Sequence, residues 1–244
     1  MNSAGRERDV VGAGASDDGQ TGGTGSFASP PCYMHVINPA YGRSVDPGQA
    51  RDVARWRKAE RERLIAARLA LSIEERIAHA DRLAGELDAT IARIAARSVS
   101  LYWPFRGEPD LRQWMHSAHE KRLRIALPLV VAKGRPLVFR AWRPGAPMAR
   151  GAWNIPYPVD GEAIVPEVVI ASLVGFDAAG FRLGYGGGYF DRTLASLTLA
   201  PIAIGVGHPF AGLPTINPQA HDIAMDWILT GDGHPRAFSG RSDI

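Results

Sequence analysis

The sequence predicts an α/β fold in which helices cover both faces of a mostly parallel sheet, and three observations support that prediction. Segments with strand character alternate with helical segments from residue 98 onward, which is the pattern of strand–helix units. Residues 164–176 form a nearly continuous apolar run, as expected for a strand that is buried on both faces. Two helices are predicted before residue 98, and the second begins with the capping-box residues Ser72 and Glu75.

Two regions are predicted along the chain. Residues 1–45 are rich in Gly, Ser, Asp and Thr and have few aliphatic side chains, so we expect a flexible N-terminal tail. Residues 46–244 are expected to form a single α/β domain. Its first helix begins with Asp46 as N-cap and Pro47 at the first helical position and is predicted to reach about residue 71. The apolar stripe of the second helix consists of Ile73, Ile77, Leu83, Leu87, Ile91 and Ile94.

The remaining elements follow from changes in hydrophobic pattern. Strands are predicted over residues 98–103, 125–131, 136–142, 164–176, 200–207 and 226–230. Helices are predicted over residues 110–124 and 189–197, and residues 143–163 form a long connection that is rich in Pro and Gly. Ligands of such sheets collect beyond the carboxyl ends of the strands.

Composition excludes several classes of protein. With 244 residues, 45% of them hydrophobic and 22% charged, the chain can form one α/β domain with a full core. The 28 basic and 25 acidic residues nearly cancel, and no Lys/Arg block of the kind that binds nucleic acid occurs. The single cysteine, Cys32, suits a reducing compartment. Because no apolar run has transmembrane length and no signal peptide is recognisable, we expect a cytoplasmic protein that does not bind membranes.

The strongest candidate for a site is the stretch GFRLGYGGGYFDR at residues 180–192. Free N–H groups of a glycine loop that leads into a helix form a cradle for anions. Arg182 adds a planar fork for phosphate, Asp191 a hard oxygen for Mg²⁺, and Tyr185 and Tyr189 flat faces for a ring. The stretch begins with Gly180, and the four glycines of the loop itself are Gly184, Gly186, Gly187 and Gly188. The alternative is a glycine-rich connector with a structural Arg–Asp pair. Neither a Walker A loop nor a dinucleotide fingerprint matches this stretch.

Four further groups of residues are candidates. Arg57, Arg61 and Arg68 share one face of the first helix, which is either a cationic site or an ordinary solvated face. Glu108 and Asp110 follow a predicted strand, where acids also commonly decorate a helix N-terminus. The tryptophans Trp103 and Trp153 are candidates for a ring-binding site or for the core. Of the pair His221-Asp222, we expect Asp222 to act alone, because adjacent residues do not face each other.

Together these residues resemble the 5-formyltetrahydrofolate cyclo-ligase family. The most specific match runs from Arg182 to Asp191, and the resemblance extends over about residues 50–232, including the segment Trp153-Asn-Ile-Pro156. It implies a three-layer α/β/α fold similar to ribose-5-phosphate isomerase and CoA-transferase domains. It also implies ATP- and Mg²⁺-dependent closure of 5-formyltetrahydrofolate to 5,10-methenyltetrahydrofolate, with release of ADP and phosphate. We expect a monomer whose partners are these two small molecules.

The resemblance also implies roles for individual residues. Arg57, Arg61 and Arg182 with Gly184, Gly186, Gly187, Gly188 and Tyr189 would hold ATP, and Asp191 and Asp222 would hold Mg²⁺. Trp103, Glu108, Trp153 and the segment Tyr185 to Tyr189 would hold the folate. Arg182 and Tyr189 are the candidate catalytic residues. Without a cation, two carboxylates brought together would repel, and the pKa of one would rise.

Some residues depart from the family pattern. Arg57 stands where lysine is usual, Phe190 and Tyr157 replace a tyrosine and a glutamate, and Ser172 stands where proline is common. Gly231 takes the place of a glutamate. Two other functions are left open: a non-catalytic or repurposed relative that binds a nucleotide or pterin, and a phosphosugar isomerase on the same fold.

Overall fold

The computed structural model of the protein describes residues 47–238. The predicted tail, residues 1–45, and the predicted N-cap Asp46 lie outside the described residues. The helices are α1 Pro47–Leu69, α2 Ile73–Ile94, α3 Arg112–Glu120 and α4 Tyr189–Ser196. The strands are β1 Ser98–Ser100, β2 Arg124–Leu129, β3 Val138–Trp142, β4 Met148–Arg150, β5 Pro156–Pro158, β6 Ala163–Ile164, β7 Val168–Ser172, β8 Gly175–Asp177, β9 Arg182–Leu183, β10 Ile202–Val206, β11 Gly212–Leu213, β12 Trp227–Leu229 and β13 Arg236–Ala237.

The main sheet has eight strands in the order β13-β12-β10-β7-β1-β2-β3-β6. Its five central strands, from β12 to β2, are parallel to one another. The edge strands β13, β3 and β6 are antiparallel to their neighbours. Two small sheets, β11-β8-β9 and β4-β5, complete the described part of the chain. The predicted α/β class is confirmed, and the antiparallel edges are a feature that the strand–helix alternation did not predict.

Alternating side chains of the central strands bury both faces of the sheet. In β7, Val168 and Ile170 belong to a core that includes Leu83 of α2 and residues of α3. Val169 belongs to the opposite core, which includes Leu64 of α1 and a residue of α4. Because successive side chains of a strand point to opposite faces, the helices α2 and α3 cover one side and α1 and α4 the other. This is the three-layer α/β/α arrangement.

The apolar stripe predicted for the second helix is only partly correct. Leu83, Leu87 and Ile91 are buried as expected. Ile73 and Ile77, by contrast, are 71% and 58% exposed. The buried residues of α2 begin only at position 79, so the first turns of the helix lie outside the core. The capping box at Ser72 and Glu75 is confirmed.

The prediction of one strand over residues 164–176 is wrong, because the chain changes sheets within this run. The N–H of Leu173 still donates to the carbonyl of Val206 beside β7, whereas the N–H of Val174 donates to the carbonyl of Leu183. The run therefore supplies β7 to the main sheet and β8 to a small one. The glycine loop consequently follows β9 of the small sheet rather than a strand of the main sheet.

Two other segments differ from their predicted form. The helix predicted over residues 110–124 is limited to Arg112–Glu120, because Arg122 adopts a left-handed backbone with φ of 67° and β2 begins at Arg124. The connection over residues 143–163 contains the antiparallel pair β4 and β5. A short 3₁₀ turn at Ala152–Asn154 joins these strands.

Candidate active site

One cavity of about 420 Å³ lies at the carboxyl ends of three neighbouring parallel strands. Residues that follow β1, among them Glu108, line it together with Leu129 at the end of β2 and Ser172 at the end of β7. Every residue to which the family resemblance gave a role also lines this cavity, whereas the further candidates Arg68 and Asp110 do not. The lining residues with such a role are Arg57, Arg61, Trp103, Glu108, Trp153, Arg182, Gly184, Tyr185, Gly186, Gly187, Gly188, Tyr189, Asp191 and Asp222. The structure therefore brings all of them together in one place.

The glycine loop turns from β9 into α4 within a few residues. Gly186 and Gly188 have left-handed backbones, with φ of 89° and 61°, and such angles are strained for residues with a Cβ. At Gly187 a Cβ would lie 2.8 Å from the Tyr189 ring, so a side chain at this position would displace that ring. Gly188 is the N-cap of α4 and makes no side-chain capping bond. The first N–H groups of α4 thus lack a side-chain cap, which suits an anion.

Arg61 supports the glycine loop from α1. Its Nε donates to the carbonyl of Gly184 at 2.6 Å, and its Cζ lies 3.4 Å from where a Cβ of Gly186 would stand. Burial and the charge of Arg57 lower the pKa of Arg61, while Asp222 opposes them. A guanidinium nevertheless stays protonated in proteins. Arg61 is therefore a fixed cation in contact with the loop.

Arg57 is bound to the segment that precedes β12. Its Nε and Nη2 donate to the carbonyls of Ile216 and Asn217, both at 2.9 Å. Its Nη2 also lies 2.5 Å from Oδ2 of Asp222. Burial alone would raise the pKa of Asp222, but the hydrogen bonds from Arg57 and from the Gln219 N–H outweigh it, so the pKa lies below its ordinary value. The interpretation of this helix face as solvated is wrong for Arg57, which is 9% exposed.

Arg182 and Asp191 form a second buried ion pair. Nη2 of Arg182 lies 2.9 Å from Oδ1 of Asp191, and their side chains are 4% and 16% exposed. The Asp191 Oδ1 also accepts the N–H of Ile223 at 3.1 Å. Nη1 of Arg182 donates to the Ile223 carbonyl at 3.2 Å. The cavity therefore contains two Arg–Asp pairs, Arg57 with Asp222 and Arg182 with Asp191.

The two carboxylates expected to bind Mg²⁺ thus both face guanidinium groups. The expected rise in pKa is not found at Asp222, whose pKa is lowered, because an arginine supplies the positive charge. Within residues 47–238, no cluster of three or more His, Cys, Asp or Glu side chains could hold a metal by itself. The donor set does fit Mg²⁺ that arrives with a nucleotide, since this ion takes one or two carboxylates plus phosphate oxygens and water.

Glu108 also lines the cavity and is 8% exposed. Its Oε1 accepts the hydroxyl of Ser172 at 2.5 Å, and its Oε2 accepts the N–H of Phe105 at 2.8 Å. Burial raises the pKa of Glu108, and the Ser172 bond, the charge of Arg68 and the Phe105 bond oppose this. A carboxylate held in this way can accept N–H groups from a bound ring.

Aromatic side chains border the cavity. Trp153 and Asn154 both have left-handed backbones, with φ of 53° and 62°. The Trp153 ring is 58% exposed and meets the Tyr189 ring edge to face at 5.5 Å. Trp153 is therefore not a core residue, and strain of this kind clusters at functional sites. Trp103 is partly buried against the core.

Several residues of the cavity were missed by the sequence analysis. Ser172 was noted only as a departure from the family pattern, although a lone hydroxyl at the end of an apolar strand is a signal that could have been used. Phe105 and Arg106 gave no signal, because their positions depend on the turn after β1. The aliphatic side chains of the wall, such as Leu137, cannot be told from core residues in the sequence.

Comparison with known proteins places this geometry in a family. The family model described as "5-formyltetrahydrofolate cyclo-ligase family" matches residues 53–231. A 5-formyltetrahydrofolate cyclo-ligase of Mycolicibacterium smegmatis is 31% identical over 150 residues, which cover 57% of this chain and 75% of that protein. The Haemophilus influenzae cyclo-ligase is 27% identical over 143 residues, covering 56% and 76%. The NMR structure of Aquifex aeolicus 5,10-methenyltetrahydrofolate synthetase has a TM-score of 0.66 at 29% identity and covers 76% of this chain and 95% of that one.

Proposed function

The chain belongs to the 5-formyltetrahydrofolate cyclo-ligase family, and from this premise we infer that its cavity closes 5-formyltetrahydrofolate to 5,10-methenyltetrahydrofolate at the expense of ATP. The observation that carries this inference is that one cavity holds two differently built sides. One side has the glycine loop with Arg57, Arg61 and Arg182, and the other has Glu108 among aromatic rings. The first suits a polyphosphate and the second suits a flat ring with N–H groups.

The ATP side consists of fixed positive charges around the loop. Arg61 has a hydrogen bond from Nε to Gly184, and we assign its terminal nitrogens to the phosphates. Arg182 supplies a buried charge beside the N-terminus of α4. Arg57 completes this side, although two backbone carbonyls already accept from it. Such an arrangement favours bidentate binding of phosphate oxygens.

The folate side consists of a buried acceptor and aromatic surfaces. Glu108 would accept N–H groups of the pteridine, while Trp103, Tyr185 and the edge-to-face pair of Trp153 and Tyr189 would contact rings of the substrate. Aromatic groups bind flat ligands by stacking and by edge contacts. The segment from Tyr185 to Tyr189 belongs to both sides, because the glycine loop joins them.

The reaction requires positioning and charge more than a nucleophile from the protein. The formyl oxygen attacks the γ-phosphorus of ATP, the bond to the bridging oxygen breaks, and ADP leaves. The N10 nitrogen then attacks the activated formyl carbon, its proton is lost, and phosphate leaves as the ring closes. Arg182 would stabilise the charge of the transferred phosphoryl group, and Tyr189 would orient the reacting groups at the start of α4.

We further propose that Asp191 and Asp222 hold Mg²⁺ when ATP is present. Such an ion would neutralise phosphate charge. Asp191→Asn should abolish turnover while folate still binds, and Asp222→Asn should raise the Mg²⁺ requirement or abolish turnover. Measuring initial rates across a Mg²⁺ titration checks both variants. Full activity of either variant at low Mg²⁺ would remove that residue from the metal site.

The decisive experiment is an absorbance assay for the methenyl product with 5-formyltetrahydrofolate, in the presence and absence of ATP. Product should accumulate only with ATP, with one ADP released per product. Binding of both ligands without conversion would instead identify a non-catalytic relative. Conversion of a phosphosugar without ATP would identify an isomerase. We also propose a monomer in the cytoplasm, which analytical ultracentrifugation and cell fractionation test. Within residues 47–238, no helix is long and apolar enough to cross a membrane.

A further inference from the structure

Arg68 is a buried cation that does not line the cavity. It is 1% exposed and lies near the C-terminus of α1, seven residues beyond Arg61. Its Nε donates to the carbonyl of Arg106 at 2.7 Å, and its Nη2 donates to the hydroxyl of Tyr185. Its Cζ lies 5.4 Å from the centre of the Tyr185 ring. The two residues it binds both line the cavity.

The carbonyl that Arg68 binds belongs to a strained turn. Arg106 and Gly107 are consecutive left-handed residues, with φ of 48° and 73°. This conformation is uncommon for a residue with a Cβ and persists where the surroundings hold it. A Cβ at Gly107 would lie 3.4 Å from Cγ of Arg68, so the turn packs directly on this side chain. The same turn ends at Glu108, whose N–H donates to the carbonyl of Phe105 at 3.1 Å.

The charge of Arg68 also acts on Glu108. It favours the ionised carboxylate, as does the hydrogen bond with the Tyr185 hydroxyl, whereas burial opposes ionisation and raises the pKa. The other groups that face Glu108 are the hydroxyl of Ser172 and the N–H of Phe105. Among these groups Arg68 is the cation, and it lies on a different element from all the others.

We propose that Arg68 is a positioning residue for folate. Through the Arg106 carbonyl it fixes the turn that ends at Glu108, and through the Tyr185 hydroxyl it fixes the Tyr185 ring. Arg68 would thus hold both groups assigned to the pteridine without touching the substrate itself. This inference rests on the proposed function. Arg68 acts on the folate side, while Arg61 on the same helix acts on the glycine loop. Its loss should therefore weaken folate binding and leave ATP binding nearly unchanged.

The test compares Arg68→Gln, Arg68→Lys and Tyr185→Phe with the unmodified protein. The dissociation constant of 5-formyltetrahydrofolate is measured by calorimetry without ATP from pH 5.5 to 9, and the KM of each substrate is measured in the methenyl assay. Arg68→Gln should weaken folate binding about tenfold, with the KM for ATP changed by less than twofold. Folate binding should weaken at acid pH, and in Arg68→Gln this acid limb should move to higher pH, since the positive charge of Arg68 no longer favours the ionised form of Glu108. Arg68→Lys should restore the limb but not the full affinity, because one ammonium cannot make both bonds of the planar guanidinium.

Arg82→Gln is the matched control, because Arg82 donates its Nε to the carbonyl of Gly231 and does not line this cavity. If Arg68→Gln lowers thermal stability but leaves the folate affinity and its pH limb as they are in the control, Arg68 is structural and the inference is wrong. Should Arg68→Gln fail to fold, Arg68→Lys and Tyr185→Phe decide, and unchanged folate affinity in both overturns the inference. Failure of the unmodified protein to bind or convert the substrate would instead reject the proposed function.

Discussion

Arg57 and Arg61 lie one turn apart on α1 but differ in what holds them. Arg57 donates to two backbone carbonyls and faces Asp222. Arg61 contacts the protein through its Nε at Gly184. A buried ion pair that loses one partner leaves the other charge uncompensated. The spacing of the two arginines predicts a shared face, but it does not predict that one of them also anchors the fold.

Arg61→Ala should raise the KM for ATP about tenfold to a hundredfold, because a charge-assisted hydrogen bond to phosphate is worth about 1.5–3 kcal/mol. Its melting temperature should stay within about two degrees of the unmodified protein. Arg57→Ala should weaken ATP binding and also destabilise the fold, by about 3 kcal/mol. Steady-state kinetics and thermal melts distinguish the two effects. An Arg61→Ala variant with an unchanged KM for ATP would restore the interpretation of this position as a solvated one.

Ser172→Ala should weaken folate binding about tenfold at neutral pH and less at pH 8.5. The Ser172 hydroxyl favours the ionised form of Glu108, so its loss raises the pKa of Glu108 further, and the carboxylate that accepts N–H groups is then favoured less at the lower pH than at the higher one. Glu108→Gln should also raise the folate KM, but without this pH dependence. Folate affinities of the two variants, measured at neutral pH and at pH 8.5, check both expectations. Equal loss for Ser172→Ala at both would show that the hydroxyl acts by packing alone.

Among the elements, α2 is joined to the end of β10 by a histidine pair. His79 and His208 stack with ring centres 4.2 Å apart and are 3% and 4% exposed. Burial lowers the pKa of both rings, and the charge of His79 further lowers that of His208, to about 4. The cations Arg68 and Arg76 also act on His208. The folded state therefore keeps these rings neutral where the unfolded chain would protonate them.

The free energy of unfolding should fall as the pH falls from about 6.5 toward 4. In that interval the two histidines bind protons in the unfolded chain but stay neutral in the folded state. The loss from His208 alone should be about 2 kcal/mol between pH 7.5 and 5. His208→Gln removes this contribution, so its stability should depend less on pH. Denaturant titrations of both proteins at the two pH values measure the difference. Parallel pH curves for the variant and the unmodified protein would contradict the expectation.

The elements also show where sequence reasoning succeeds and where it stops. Local signals such as the capping box at Ser72 and the proline at position 47 correctly placed helix starts, because both act on the backbone within a few residues of the chain. The apolar run over residues 164–176 was wrongly predicted to be one strand. Its division into two strands depends on hydrogen bonds to the carbonyls of Val206 and Leu183, which are distant in the sequence. The residues to which the resemblance gave roles all line one cavity, and that resemblance rests on contiguous motifs such as the glycine loop. Arg68 could not be assigned a role, since its partners Arg106 and Tyr185 lie far from it in the sequence.

At the scale of the whole molecule, the cavity uses only part of the chain. Its lining residues lie between positions 57 and 222, and the family match spans residues 53–231. We therefore expect that deletion of residues 1–45 leaves folding and activity nearly intact. Melting temperature and methenyl-product assays of the truncated protein test this. A fall of several degrees after truncation would show that the N-terminal segment contributes to the domain.

The first helix fixes distances across the cavity. Arg57 reaches the segment before β12, Arg61 reaches the glycine loop and Arg68 reaches the turn that carries Glu108. At 1.5 Å per residue, these three contacts span about 16 Å along one rigid rod. Adding one residue between Arg61 and Arg68 would rotate everything beyond it by about 100°. Such an insertion should impair turnover with both substrates more severely than replacement of any single arginine. It would change both the spacing and the rotation of Arg68 relative to Arg57 and Arg61.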